Sequence, residues 1–290
     1  MRITAAATAD RDAWLALARD VDPLCGPMAG SPDFHVALDR AIACGTAFGA
    51  RREDDPPDAP LLGGLLWIPD PPRYQIAWLA VTQQARRPYV ARRLLDHALA
   101  QVVRPATVHL TTFAAGVPEG EAARRFYARA GFRPAGPAPT HSTGLPGEEL
   151  SLAITRQSTA RAVIVSGRRY LLAQHHYANP ANHGKWLLIG GGIEDTERDP
   201  EAALRRELSE ELSAPPVTVQ PLHIYAHAER LHHVFTVELD RSRGRLRASP
   251  DEIAVLGWFT FASVEALHRS DALFAPFVYD AIRDAHRARS

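Results

Sequence analysis

The chain has 290 residues, about twice the usual domain length, which predicts two domains that each bury their own core. Apolar residues make up 46% and charged residues 23%, values typical of globular proteins, which excludes a largely disordered chain or a fibrous repeat. The 33 basic residues balance the 33 acidic ones, so no global field steers the protein to nucleic acid or an anionic membrane, and neither partner is expected.

The first half of the chain mixes helical and strand patterns. Helical spacing is found at 13–21, 90–103 and 121–132, and strand patterns at 61–68, 74–81 and 107–113. This alternation predicts an α/β layer. The acidic, proline-rich segment 52–60 is predicted to be a solvated hairpin loop, and the segment 133–148, rich in Pro, Gly, Ser and Thr, is predicted to be a loop.

A change of composition marks the predicted domain boundary. An apolar run at 149–154 is followed by the polar segment TRQSTAR and then by a clean strand pattern, AVIVS at 162–166. We therefore place the boundary near Gln157, which divides the chain into domains 1–157 and 158–290.

In the second half, the segment 199–214 is predicted to be a helix that gathers carboxylates on one face. Its buried stripe is formed by Ala203, Leu204, Leu208 and Leu212. Glu207, Glu210 and Glu211 lie at i, i+3 and i+4 and therefore share another face. Like charges at this spacing repel one another, and a divalent cation removes the repulsion. Mg²⁺ takes oxygen ligands, commonly one or two carboxylates together with substrate phosphates.

Three consecutive glycines, Gly190, Gly191 and Gly192, follow an apolar strand and precede this helix at a short, fixed spacing. Glycine permits backbone conformations closed to other residues, so carbonyls or amides there are able to approach a metal or phosphate closely.

Glycine turn and helix together resemble the Nudix hydrolase box, G-x5-E-x7-R-E-U-x-E-E-x-G-U, where U is aliphatic. Gly192 opens the match, which continues through Arg206, Glu207, Leu208, Glu210, Glu211 and Ala214. Two positions depart: Arg198 replaces the first box glutamate, with Glu194 and Glu197 nearby, and Ser213 replaces the later glycine. The resemblance covers roughly residues 158–288 and implies a Nudix α/β/α sandwich.

The resemblance also implies a reaction: hydrolysis of a diphosphate linkage in a nucleoside diphosphate derivative, a small-molecule substrate, with Mg²⁺ or Mn²⁺. It assigns metal-binding and catalytic roles to Glu207, Glu210 and Glu211, with Glu207 and Glu211 as the principal ligands. The backbone of Gly191 and Gly192 would contact the metal, Arg206 would be a structural partner of the glutamates, and Glu252 is a candidate further ligand or base.

A strand pattern places His223, Tyr225 and His227 on one face. Such a face could line a pocket and stack on a base, although a surface or partly buried position is the more common one for any single histidine.

The first half resembles the GNAT acetyltransferases in two segments and implies a GNAT-like α/β domain over about residues 1–155. In the segment 79–99 a strand leads through a basic turn into a helix, as in the loop that wraps the coenzyme A pyrophosphate. Arg86 and Ala91 match that motif, whereas Tyr89 stands where its first glycine belongs and Pro88 removes a backbone donor. Binding of acetyl-CoA is therefore expected to be weak or absent.

The remaining candidate residues of this half each allow a functional and a structural interpretation. Arg86 and Arg87, with Arg92 and Arg93, could bind an anion, although a run of charges is usually a solvated face. Tyr127, in the second matching segment 122–132, stands where GNAT enzymes often have a general acid, and a core aromatic beside Phe126 is equally compatible with the sequence.

Two alternatives to hydrolysis stay open. The chain could be a non-catalytic ligand-binding or regulatory protein, or an N-acetyltransferase with a regulatory Nudix domain. Intact glutamates favour hydrolysis over the first, and Pro88 and Tyr89 count against the second. Two cysteines outside any metal or disulfide spacing, and no signal-peptide pattern, predict a cytoplasmic protein; homodimerisation stays open.

Overall fold

The computed structural model describes residues 1–85, 88–140, 143–176, 179–194, 196–197, 199–212, 215–240 and 246–289. Backbone contacts group the chain into two compact units, Met1–Thr155 and Arg156–Ser290. The boundary predicted near Gln157 falls just after this division. Among the helices of the described ranges, none is both long and apolar enough to cross a bilayer.

The first unit is built on one mixed sheet. Its elements are β1 (Arg2–Ala5), α1 (Arg11–Cys25), α2 (Pro32–Ala43), β2 (Ala47–Arg51), β3 (Gly63–Asp70), β4 (Arg73–Val81), α3 (Pro88–Leu99), β5 (Ala106–Phe113), α4 (Glu121–Arg129), β6 (Arg133–Ala138) and β7 (Gly147–Ile154). The strands lie in the order β1-β2-β3-β4-β5-β7-β6. All neighbours are antiparallel except β4 and β5, whose parallel pairing runs from Arg73 opposite Thr107 to Ile76 opposite Leu110.

One face of this sheet packs on α1 and α2 through large aromatic side chains. Trp14 and Phe34 contact Trp78, with ring centroids 5.9 and 5.3 Å apart from it. Gly64 makes the close approach of α1 to the sheet feasible, because a Cβ there would lie 2.6 Å from the Trp14 ring. The six segments predicted for this half all contain the expected element, with ends that shift by a few residues.

The loop predicted at 133–148 is wrong at both of its ends. Residues 133–138 form β6, which pairs with β7 from Arg133 opposite Ser151 to Ala138 opposite Gly147. This strand is the last in the sheet order, and proline is tolerated on an edge strand because one side of the strand donates no ladder hydrogen bonds. A register shift between Pro134 and Gly136 accommodates the prolines.

The sequence patterns did not predict β1, β2 or α2. The start of α2 does carry a recognisable signal: the Ser31 hydroxyl accepts a hydrogen bond from the Phe34 amide at 3.4 Å, and Pro32 occupies the first turn. Segment 52–60, predicted as a hairpin loop, does join the antiparallel strands β2 and β3.

The second unit is a five-stranded sheet between helices. Its elements are β8 (Thr159–Ser166), β9 (Arg169–His175), α5 (Pro200–Glu211), β10 (Pro216–His227), β11 (Arg230–Leu239), β12 (Ile253–Thr260), α6 (Phe261–Arg269) and α7 (Pro276–Arg289). The strand order is β10-β11-β8-β9-β12, and only the β11–β8 pair is parallel.

Alternate residues of β8 enter two separate cores. Ala162 and Ile164 pack in a cluster with Leu204 and Leu208 of α5. Val163 and Val165 pack in the other cluster, which contains buried residues of α6 and α7. Both faces of the sheet are therefore covered by helices, and the predicted α/β/α sandwich is confirmed, as is the α/β class of the first unit.

Candidate active site

The glycine turn runs alongside the start of β8. The Ala160 amide donates to the Gly191 carbonyl at 3.0 Å, and the Ile193 amide donates to the Ser158 carbonyl at 2.9 Å. Gly190 has φ of 122°, a value that side-chain-bearing residues rarely adopt, and a Cβ there would collide with the Ala160 carbonyl oxygen. Glycine is therefore required at this position by both conformation and space.

Helix α5 begins with the predicted cap. The Asp199 carboxylate accepts a hydrogen bond from the Glu201 amide at 3.0 Å, and Pro200 follows in the first turn. The predicted stripe of Ala203, Leu204 and Leu208 is fully buried, which fixes the rotation of the helix. That rotation directs the next face of the helix, which carries the three glutamates, towards the glycine turn.

Two of the three glutamates reach the turn. The Gly190 amide donates to Oε2 of Glu211 at 2.9 Å. The Glu207 carboxylate lies directly against Gly191, where it occupies the place that a Cβ would need. The exposed fraction of the side chain is 6% for Glu211, 15% for Glu207 and 56% for Glu210, so Glu210 is the outer member of the set.

Arg206 ties this face together. Its Nη1 donates to Oε1 of Glu207 at 2.8 Å and to Oε2 of Glu210 at 3.1 Å, and its Nη2 donates to the Gly192 carbonyl at 3.0 Å. Two more bonds, at 2.9 and 3.1 Å, join it to the carboxylate of Glu197. The predicted structural partner of the glutamates is thus in contact with both the helix and the turn.

Glu197 makes hydrogen bonds within the loop where Arg198 replaces the first glutamate of the Nudix box. Besides its two bonds to Arg206, its carboxylate accepts a hydrogen bond from the Glu194 amide at 2.9 Å, and these bonds lower its pKa. Arg198, Ser213 and Ala214, the other box positions at issue, lie outside the described residues.

Burial sets the electrostatics of the two inner carboxylates. Desolvation, together with the charges of Glu207 and Glu252, raises the pKa of Glu211 to about 7 against the lowering effects of the hydrogen bond from Gly190 and the charge of Arg161. Desolvation also raises the pKa of Glu207, opposed by its hydrogen bond to Arg206. The site therefore holds acidic groups at a free-energy cost that a bound cation would relieve.

Glu252 approaches this site from the loop before β12. Its side chain is exposed, its carbonyl accepts a hydrogen bond from the His176 amide at 3.2 Å, and its charge acts on Glu211. The structure therefore brings Glu252 to the same end of the sheet as the α5 glutamates.

The sequence reading gave no role to two residues that lie beside Glu211. His175, the last residue of β9, has its Nδ1 3.5 Å from Oε1 of Glu211, and burial lowers its pKa to about 4. Arg161 of β8 donates hydrogen bonds to the carbonyls of Leu188 and Gly190, before and at the start of the glycine turn. Arg161 belongs to β8 and His175 to β9, the two strands that pair with residues 187–192. Helical spacing within α5 carries no signal for either residue.

The face with His223, Tyr225 and His227 packs on α7. Tyr225 is 4% exposed, and its hydroxyl donates to Asp284 at 3.0 Å. The ring centroid of His227 is 6.1 Å from that of Phe277. His223 and His227 are partly buried, which is one of the positions that the sequence favours for a single histidine.

In the first unit, the candidate residues that the structure describes make other kinds of contact. Tyr127 is 7% exposed, and its ring contacts Phe126 and Phe132 at centroid distances of 5.2 and 5.6 Å. Arg92 forms an ion pair with Asp96 at 2.9 Å. Arg86 and Arg87 lie outside the described residues.

A cavity of about 620 Å³ lies elsewhere in this unit, between α1, the β2–β3 loop and the start of α3. Polar groups on its wall include Asp20, Thr82 and Gln84. Tyr127 is not among the described residues that line it.

Comparison with known proteins assigns a family to each unit. The profile described as NUDIX domain matches residues 155–280, and the profile described as Acetyltransferase (GNAT) family matches residues 18–132. The chain therefore joins a GNAT-family domain to a NUDIX domain, and both resemblances noted in the sequence are confirmed. No curated protein matches the chain significantly.

Solved structures similar to part of this chain include NUDIX hydrolases and a GNAT-family acetyltransferase. A MutT NUDIX hydrolase from Burkholderia pseudomallei is 27% identical over 37% of this chain and 84% of that protein, with a TM-score of 0.33. A NUDIX hydrolase from Nitrosomonas europaea is 22% identical over 46% and 90%, with a TM-score of 0.38. A GNAT-family acetyltransferase from Bacillus cereus ATCC 10987 is 17% identical over 53% and 98%, with a TM-score of 0.41.

Proposed function

We propose that the second unit hydrolyses a diphosphate linkage in a nucleoside diphosphate derivative, using Mg²⁺ or Mn²⁺. One observation carries the proposal: the carboxylates of Glu207 and Glu211, from one face of α5, both lie against the glycine turn. The NUDIX profile over the same unit supports the reaction class, namely attack of water on a pyrophosphate bond.

The donor set fits a divalent cation. Carboxylate and carbonyl oxygens are the ligands that Mg²⁺ and Mn²⁺ prefer, and burial makes the ionised forms of Glu207 and Glu211 costly without a cation, as their raised pKa values indicate. Among the described residues no three ligating side chains converge on one point, so waters and substrate phosphates would complete the coordination shell. Glu207 and Glu211 would be the principal ligands, with Glu210 at the outer side and the backbone of Gly191 and Gly192 as the loop contact.

A bound divalent cation would lower the pKa of an attacking water and neutralise charge on the diphosphate. The chain's own residues prepare the site for this chemistry. Arg206 orients Glu207 and Glu210 by direct hydrogen bonds, and the Gly190 amide orients Glu211. Because the pKa of Glu211 lies near neutrality in the metal-free protein, binding of a cation to this carboxylate would release a proton at neutral pH.

The proposal is tested on the purified full chain with a panel of nucleoside diphosphate derivatives. Each compound is incubated with Mg²⁺, with Mn²⁺ and with excess chelator, and released phosphate-containing products are separated and quantified. We expect at least one compound to be cleaved at its diphosphate linkage with either metal and to stay intact with chelator. Cleavage that is indifferent to chelator, or no cleavage of any compound, would contradict the proposal and favour the ligand-binding alternative.

Several expectations from the sequence accompany this proposal as predictions. They are a cytoplasmic location, an accessory role for the GNAT unit in substrate choice or assembly, and weak or absent acetyl-CoA binding. Homodimerisation stays open.

A further inference from the structure

Arg161 projects from β8 onto the glycine turn. Its Nη1 donates to the carbonyl of Gly190, and also to the carbonyl of Leu188 at 3.3 Å. The guanidinium therefore contacts the backbone on the turn's approach and at its first glycine. It lies on the sheet side of the site, whereas Arg206 belongs to the helix α5.

Gly190 links this arginine to the candidate catalytic carboxylates. Its carbonyl accepts from Arg161, while its amide donates to Oε2 of Glu211 at 2.9 Å. A shift of the Gly190 backbone would therefore move the donor on which the Glu211 carboxylate rests. Glycine-rich backbone has more conformational freedom than any other, so this segment needs external bonds to keep one geometry.

Backbone hydrogen bonds from β8 hold the residues on either side of Gly190, and the Arg161 side chain holds the Gly190 carbonyl. Ala162 donates to the Ile189 carbonyl at 2.8 Å and Ala160 donates to the Gly191 carbonyl at 3.0 Å. Arg161, between them, supplies the bond to Gly190 itself. Its positive charge also opposes the rise in pKa that burial causes at Glu207 and Glu211.

We propose that Arg161 is a positioning residue for the proposed hydrolysis: it fixes the Gly190 backbone and, through it, the Glu211 carboxylate. This inference rests on the proposed function for its catalytic consequence. The positioning itself is a property of the chain that is measurable without turnover.

Three variants of the full chain separate the alternatives. Arg161→Gln removes the cationic donor, Arg161→Lys keeps a cationic donor with a shorter reach, and Arg169→Gln is the matched control on exposed β9 surface of the same unit. Amide hydrogen exchange of the metal-free proteins is measured on peptides that cover residues 187–194, and kcat and KM are measured on a compound cleaved by the wild type.

In Arg161→Gln we expect faster exchange at the glycine turn and a kcat lowered about tenfold or more, with KM changed less than about threefold, as is typical for loss of a group that orients a ligand. Arg161→Lys should recover part of both losses, and Arg169→Gln should behave as wild type. Recovery by lysine distinguishes positioning from a general loss of fold, which would lower activity and protection across the unit.

Unchanged exchange at residues 187–194 in Arg161→Gln would overturn the positioning step, and faster exchange with wild-type kcat would overturn its catalytic consequence. A wild type that cleaves no compound would instead refute the proposed function and the catalytic consequence with it. The exchange result would then decide the positioning step alone, so the two failures are distinguishable.

Discussion

The two units of this chain treat their candidate site residues differently. In the second unit, residues distant in sequence meet at the glycine turn: Glu211 contacts Gly190, and Arg206 joins Glu207 to Glu197. In the first unit, Tyr127 packs among aromatic side chains in the interior, and the loop resembling the pyrophosphate-binding motif carries Pro88 and Tyr89.

This difference shows why a fold and an activity need separate arguments. Both units match a family profile, and both keep the sheet and helices of an α/β domain. Among the described residues, buried acidic groups with raised pKa values converge in the second unit alone, which is the arrangement expected of a functional site. Substitution of the α5 glutamates, separation of the units and titration with acetyl-CoA would each show whether chemistry is confined to that unit.

Removing one inner carboxylate should have the largest effect. We expect Glu211→Gln to lower turnover by about two orders of magnitude or more, typical for loss of a group that stabilises charge in the transition state, while the fold stays intact. Steady-state kinetics on a cleaved compound provide the measurement. Glu201→Gln is the matched control, because Glu201 lies in the first turn of the same helix and pairs with Arg205. Equal rates for wild type and Glu211→Gln would remove the contrast between the units.

The same residue should give the second unit a distinctive pH dependence in the absence of metal. The pKa of Glu211 is raised from 4.5 to about 7, so the folded state binds this proton more tightly than the unfolded state. Its contribution to stability is therefore present below pH 4.5 and is lost as pH rises through about 7. Relative to wild type, metal-free Glu211→Gln should become more stable as pH rises over this window, by at most about 3 kcal/mol.

Denaturant unfolding of both proteins between pH 4.5 and 8 provides the measurement. His175 and His232 contribute with the opposite sign, because burial lowers their pKa values to about 4 and about 2. Both histidines are present in the two proteins, so the parts of their contributions that do not depend on Glu211 cancel in the difference between the curves. If the stability of Glu211→Gln relative to wild type stayed constant, or fell as pH rises, the raised pKa of Glu211 would be contradicted.

Local patterns sufficed for α1, α3, α4 and β3–β5 of the first unit, and for the helix-borne part of the candidate site. Helical spacing places Glu207, Glu210 and Glu211 on one face, and the spacing to Gly192 places that face at the turn. Both signals lie within one continuous segment of the chain, where periodicity and turn chemistry determine geometry.

Contacts made by the strands could not be predicted in the same way. Arg161 and His175 reach the site because β8 and β9 are neighbouring strands and both pair with residues 187–192. This arrangement follows from sheet topology and has no local sequence signature. Strand β6 was missed for the opposite reason: its prolines indicate a loop, and only its place at the edge of the sheet makes a strand feasible.

Separating the units should have a smaller effect, set by where the cut falls. We expect fragments that begin at Arg156 and at Ser158 both to fold and to keep metal-dependent hydrolysis, because Glu207, Glu211 and Glu252 all lie in the second unit. The shorter fragment lacks Arg156, whose amide donates to the Glu229 carbonyl at 3.0 Å, and Gln157, whose Nε2 donates to the Ile193 carbonyl at 2.9 Å. It should therefore be less stable by about 2 kcal/mol, at about 1 kcal/mol for each hydrogen bond.

Thermal unfolding and turnover of the two fragments are compared with those of the full chain, and Gln157→Ala in the longer fragment is the matched control. It should reproduce about half of the stability loss of the shorter fragment, because it keeps the bond from the Arg156 amide. A folded fragment that binds Mn²⁺ as the full chain does, yet cleaves nothing, would show that hydrolysis needs groups from the first unit.

The smallest expected effect is the response of the full chain to acetyl-CoA. A pyrophosphate approaches a helix start through free backbone amides, and here α3 begins at Pro88, which has no amide hydrogen, followed by Tyr89, which is 51% exposed where the GNAT motif has glycine. Isothermal titration calorimetry should give no measurable heat of binding up to about 1 mM ligand, equivalent to a binding free energy weaker than about −4 kcal/mol. The double variant Pro88→Ala with Tyr89→Gly restores the amide and the space, and it should bind acetyl-CoA more tightly than wild type. Micromolar binding by the wild type, with acetyl transfer that Tyr127→Phe abolishes, would make the first unit a working acetyltransferase and end the contrast between the units.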